Sequence, residues 1–252
     1  MKQLAAHIAG LAALTALATS AWAYPSLNGL TGGGNLPTAE VAPAQTLTLA
    51  LDLEDLEGRK AAQSWRALYG ANDRFEASAN FVQTERQTWG LDAKYVLCPG
   101  TAVGTLFGTT SSLTLEPRKI TPGPGPGTIV LPRTNTYQLF ALHTFNLTPS
   151  EAGLGLALTL GANWTSMAAT GIDESAFRGF AVLQAKMGKV SIVGDYQTKD
   201  EDMESDAMWS AVARYQFSPQ LGAEAGWSNS MGVLGSSDSR FFGGISYRMI
   251  TD

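Results

Sequence analysis

The chain has 252 residues, a formal net charge of −5, 44% hydrophobic residues and one cysteine. An acidic balance with no basic block argues against a nucleic-acid surface, because neutralising phosphates needs clustered Lys and Arg. The lone Cys98 excludes an intrachain disulfide, and before Pro99-Gly100 it reads as a small turn residue.

Met1-Lys2-Gln3 leads into an apolar run from Leu4 to Leu17 that ends in Ala21-Trp22-Ala23. This pattern predicts a secretory signal peptide over residues 1–23, cleaved before Tyr24, because the run is short for a membrane-spanning helix and a small-residue site follows it. No later segment offers about 18 consecutive apolar residues, so a second helical anchor is not expected. Residues 24–44 contain Gly32-Gly33-Gly34, Pro25, Pro37 and Pro43, and read as an irregular leader.

From residue 45 to residue 252 the dominant signal is a period of two. Leu47, Leu49, Leu51 and Leu53 alternate with Thr46, Thr48, Ala50 and Asp52; Leu221, Ala223, Ala225 and Trp227 alternate with Gly222, Glu224, Gly226 and Ser228. Twelve strands are expected, near 45–54, 63–70, 74–83, 87–97, 101–112, 134–146, 153–165, 176–187, 189–198, 207–217, 220–229 and 239–249. Short turns such as Ala71-Asn72-Asp73, Cys98-Pro99-Gly100, Gly188 and Ser218-Pro219-Gln220 fall at one end. Longer connections fall mostly at the other: Asp55 to Ala62, Leu113 to Arg133, Ser166 to Ser175, Lys199 to Asp206 and Asn229 to Asp238. That asymmetry is typical of outer-membrane barrels, with the short turns periplasmic. The Pro-Gly repeat at Thr121 to Gly127 belongs to the longest external loop.

A soluble sandwich also alternates, but it would bury its aromatics centrally. Here outward parity puts Trp65, Trp89, Trp164, Trp209 and Trp227 at the long-loop end and Tyr69, Tyr95, Tyr215 and Tyr247 at the short-turn end, with Ala, Leu, Ile and Gly between. Two aromatic girdles around an apolar belt point to lipid. The expected fold class is therefore all-β, a closed antiparallel transmembrane β-barrel of about twelve strands. The leader either hangs in the periplasm or plugs the barrel mouth.

Inward parity collects Arg66, Arg74, Glu76, Asp92, Lys94, Arg178, Lys186, Asp195, Arg214, Glu224 and Arg248. Arg214 and Glu224 should face each other across the Ser218-Pro219-Gln220 turn, and Glu76 and Lys94 across strands 3 and 4. These charges either cross-link and hydrate a narrow interior or form a selectivity ring on a solute path. His143, the one histidine after residue 23, has outward parity near the short-turn end, so a Ser-His catalytic pair is not supported. An imidazole-rich or thiolate metal site cannot be built. The acidic run Lys199 to Asp206 lacks the spacing of an EF-hand loop and reads as a solvated external loop.

The segment Pro25-Ser26-Leu27-Asn28-Gly29-Leu30-Thr31-Gly32, with Pro37-Thr38-Ala39-Glu40-Val41, resembles the leader of YjbH-like outer-membrane barrels associated with exopolysaccharide. The resemblance implies an outer-membrane barrel with a link to polysaccharide export, and supplies no catalytic positions. The expected function is a non-enzymatic, porin-like narrow channel for small polar solutes or an accessory of polysaccharide export. The alternative is a non-conducting barrel that presents external loops. No cofactor or metal is expected. Expected partners are outer-membrane lipids and lipopolysaccharide, the barrel-assembly machinery, and a polysaccharide or small polar solute.

Overall fold

A computed structural model describes residues 24–27, 29–54, 62–83, 86–111, 113–115, 129–131, 133–148, 153–169, 172–199, 206–230 and 235–251. The expected signal peptide over 1–23, the Pro-Gly repeat 121–127 and positions 200–205 of the acidic run lie outside the described residues.

Period-two alternation becomes strand after strand: β1 (Thr46–Glu54), β2 (Ala62–Asn72), β3 (Phe75–Gln83), β4 (Gln87–Cys98), β5 (Thr101–Thr110), β6 (Leu113–Leu115), β7 (Ile129–Leu131), β8 (Thr134–Asn146), β9 (Leu154–Ala169), β10 (Ile172–Met187), β11 (Val190–Gln197), β12 (Met208–Gln216), β13 (Leu221–Ser230) and β14 (Gly235–Ile250). Twelve of these close into one antiparallel barrel, while β6 and β7 pair as a separate two-stranded sheet. β1 seals the ring against β14, with Thr46 opposite Ile250 and Leu51 opposite Ile245. Closure gives each of the twelve barrel strands a paired neighbour on both sides and leaves the barrel no open edge, the condition for a sheet to sit in lipid.

The outer surface is apolar in the middle and aromatic at both ends. Leu91, Leu139, Leu160, Leu183, Ile192 and Ile245 are exposed between the two rings. Trp65, Trp89, Trp164, Trp209 and Trp227 are exposed toward the long-loop end, and Tyr69, Tyr95, Tyr215 and Tyr247 toward the short-turn end. Neighbouring strands pair their rings: Phe81 and Trp89 lie opposite each other with centroids 4.2 Å apart, as do Trp227 and Phe241 at 5.2 Å. His143 faces outward with Phe145, its Nδ1 lying 2.8 Å from the Thr101 hydroxyl.

Two long connections are shorter than the sequence implies. Instead of a loop from Ser166 to Ser175, β9 runs on to Ala169 and β10 begins at Ile172, with Ser166 paired to Ser175 and Met167 to Glu174. Likewise β13 extends to Ser230 and β14 starts at Gly235. Beyond the apolar belt lipid no longer imposes alternation, yet main-chain pairing continues, so the ladder outlasts its sequence signal. The β6–β7 hairpin, within what reads as irregular loop, is too short for a period to show.

Residues 24–44 occupy the interior. Gln45 N donates to Gly70 O at the short-turn end of β2, where the segment joins the wall. From there it doubles back on itself through main-chain bridges between Pro25 and Thr31 and between Gly32 and Pro37. Tyr24 returns to the same end, beside Gly188, Lys189 and Gln216. Asn35, near the far end of the loop, reaches the Trp209 carbonyl and the Ser228 hydroxyl.

Candidate functional site

The site is the barrel lumen and the segment that fills it. An irregular segment buried in a barrel must find partners for its main-chain N–H and C=O groups, since no ladder supplies them. Inward charged side chains do so at three places.

The first is a Glu76–Lys94 pair on β3 and β4, which the register places directly opposite each other. The Lys94 ammonium lies 2.8 Å from Glu76 Oε1, and both side chains are fully buried. Glu76 accepts hydrogen bonds from Thr31 N at 2.8 Å, Thr31 Oγ1 at 2.6 Å and Ala42 N at 2.7 Å. Lys94 Nζ donates to the carbonyls of Thr31, Thr38 and Glu40.

The second is a four-membered cluster from β1, β2, β12 and β13. Arg66 Nη2 pairs with Asp52 and, at 2.8 Å, with Glu224 Oε1. Glu224 Oε2 takes Arg214 Nε at 3.0 Å. Other guanidinium donors turn to the segment: Arg66 Nη1 to Pro25 O at 2.6 Å, Arg214 Nη1 and Nη2 to the carbonyls of Gly32 and Gly33 at 2.8 and 2.7 Å. The Arg214 guanidinium also stacks over the Tyr24 ring, 4.5 Å from its centroid.

The third is Asp195 on β11, which accepts from Asn35 N at 2.6 Å and Leu36 N at 3.3 Å. Here the segment presses against the wall without side chains. A Cβ on Gly33 would lie 2.7 Å from Asp195 Oδ2 and 2.9 Å from Val182 Cγ1, and one on Gly34 would lie 2.7 Å from Val212 Cγ2. Glycine is the residue that permits such close approach.

Beside the Asp195 seat the lumen is apolar. Leu30 and Leu36 are buried among Ala102, Leu106, Phe140, Leu142, Phe180, Val182, Val193 and Met208. Inward parity reads as an interior that is polar and mixed in charge. The apolar patch traces to inward positions such as Phe140 and Leu142, where β8 is apolar on both faces.

Of the remaining expected lining residues, Asp92 is buried and accepts from Ser78 and Asn80, and Arg178 is buried. Lys186 is half-buried, its Nζ 4.0 Å from Glu40 Oε1, and Arg248 is half-buried on β14. Arg74 is a correction. It is exposed in the turn between β2 and β3, where Asn72 Oδ1 accepts its N–H and that of Phe75, so its parity points into no lumen. Three lining charges were missed: Asp52, and the Glu54–Arg240 pair, whose atoms approach to 2.8 Å. All three have inward parity; their partners lie across the closure between β1 and β14 or on β2 and β13, which local sequence does not reveal.

No protein-family model and no curated protein matches the sequence. Solved structures similar in fold include the KdgM porin in complex with disordered oligogalacturonate, at a TM-score of 0.52 and 10% identity over 80% of this chain and 98% of that one. Another is the outer membrane protein Omp33 of Acinetobacter baumannii, at 0.47 and 9% over 81% and 98%. The chain is a closed twelve-stranded antiparallel barrel of the outer-membrane type.

Proposed function

We propose that the protein is a porin-like channel of the bacterial outer membrane whose own residues 24–44, left at the N-terminus once the signal peptide is removed near Ala23, hold it shut. One observation carries this reading. The barrel's ladder is closed without the segment, while Glu76, Lys94, Arg214 and Asp195 spend hydrogen bonds on its main chain. Beyond its wall-to-wall ion pairs, the lumen holds a chain that forms no part of the ladder, gripped at polar seats beside an apolar patch. The fold it shares with a porin is consistent with a solute path. The reading is non-enzymatic, since His143, the one histidine among the described residues, faces outward and pairs with Thr101. Its surroundings are outer-membrane lipid and lipopolysaccharide, reached through the assembly machinery.

A second reading, a permanently non-conducting barrel, draws on the burial of Leu30 and Leu36 in the apolar cluster. Planar-bilayer recordings separate the two. The intact chain should be almost silent, and the full-length variant Gly33→Val/Gly34→Val, whose segment no longer fits against Val182 and Val212, should give stepwise currents. A variant that still shows the heat-modifiable gel mobility of a folded barrel yet stays silent would favour the non-conducting barrel.

A further inference from the structure

The way the wall holds residues 24–44 has a chemical signature, and it rests on the channel reading above. Most of the polar contacts are to main chain; the side-chain exceptions include those of Thr31, Asn35 and Glu40. Glu76 and Asp195 take peptide N–H groups, at Thr31 and Ala42 and at Asn35 and Leu36. Lys94, Arg214 and Arg66 take peptide carbonyls. Such contacts do not depend on which side chains the occupant carries. The apolar patch beside them receives aliphatic side chains, Leu30 and Leu36.

Charge then narrows the solute. The three cations that donate to the segment's carbonyls each have a wall carboxylate: Lys94 has Glu76, Arg66 has Asp52 and Glu224, and Arg214 has Glu224; a fourth, Lys186, lies 4.0 Å from the segment's own Glu40. At the seats that grip the segment, an acidic oligosaccharide would have to compete with those carboxylates and meet Asp195 as well, a local arrangement of like charges that costs affinity, while Arg178, Lys186 and Arg248 line the lumen elsewhere. A peptide offers the N–H and C=O groups that the same seats take from the segment. The lumen also has room for an extended chain, because the segment fills it with three neighbouring stretches, Thr31-Gly32 lying between Pro25 on one side and Pro37 on the other. Displacing them vacates space for one extended peptide.

We propose that the lumen is a main-chain binding path for short, uncharged-side-chain peptides with aliphatic residues, and that residues 24–44 close it by occupying that path as a tethered peptide. The test uses liposomes holding full-length Gly33→Val/Gly34→Val, with a chain beginning at Ala44 as a second variant in case the first does not assemble. Entry of a Gly-Leu-rich pentapeptide is compared with that of trigalacturonate. The peptide should enter at least about tenfold faster, the like-charge cost to the acidic sugar being worth that much or more, and intact protein should admit neither. Equal entry, or faster entry of the sugar, overturns the peptide path while leaving a channel. Failure of both solutes to enter through a folded, segment-displaced barrel overturns the channel reading along with it.

Discussion

Glu224 is divided between two arginines, Oε1 to Arg66 and Oε2 to Arg214, and all three side chains are almost fully buried. Removing one member of a buried ionic cluster strands the others, at a cost of about 3–5 kcal/mol. Glu224→Ala should therefore lower the denaturation midpoint markedly, whereas Arg74→Ala, exposed in its turn, should leave it unchanged; urea titration of the folded barrel reads both. The sequence carried the Arg214–Glu224 and Glu76–Lys94 pairs because each belongs to one hairpin, where turn and parity set the register. It did not carry Asp52, which lies between Leu51 and Leu53 and pairs with Arg66, a residue not directly across from it in the β1–β2 register. Arg74 failed for the opposite reason: parity counts only inside a strand, and the third strand, expected from residue 74, begins one residue later at Phe75, leaving Arg74 in the turn.

At the scale of elements, the leader combines weak local structure with strong nonlocal seating. Its glycines and prolines announced an irregular segment, and that much was legible. Which groups it meets was not, since Asn35 is held by residues as distant in sequence as Asp195 and Ser228. Leu36 is 2% exposed within the apolar cluster. Truncating such a side chain costs about 2–5 kcal/mol, and here the loss falls on the docking of the segment rather than on the ladder. Leu36→Ala should make residues 24–44 accessible to protease added at the short-turn end, with the barrel's heat-modifiable mobility preserved. Cleavage no faster than in the intact chain would mean that Leu36 does not hold the segment in place. Strands β9 and β10 show the converse: their ends beyond the belt pair fully without any alternation to announce them.

For the whole molecule, lipid writes its demand into every strand as a period of two, which is why the twelve-strand barrel could be read before any contact was known. The interior answers to partners from across the ring, and its mixture of charged seats and an apolar patch could not. The outer face makes a depth-dependent prediction. Leu183, 53% exposed in the middle of β10 opposite Leu158 and Gly194, faces the centre of the belt. Leu183→Arg should cost about 2–4 kcal/mol and Trp65→Arg, at the girdle, about 0–1, as measured by unfolding from detergent-free bilayers. Equal costs would place the belt elsewhere.

The central claim is that residues 24–44 sit in the lumen and close it. A Cβ at Gly34 would come 2.8 Å from Ser210 Cβ; a disulfide spans about 3.5–4.5 Å between Cβ atoms, so a small retreat of the segment joins the two positions. Single-channel recording of Gly34→Cys/Ser210→Cys, with Cys98→Ser to remove the native thiol, tests the claim directly. Oxidised protein, with the link verified on a non-reducing gel, should stay silent, and reductant should release stepwise openings as the freed side chain keeps the segment off Val212. Equal current from the linked and reduced forms would contradict it.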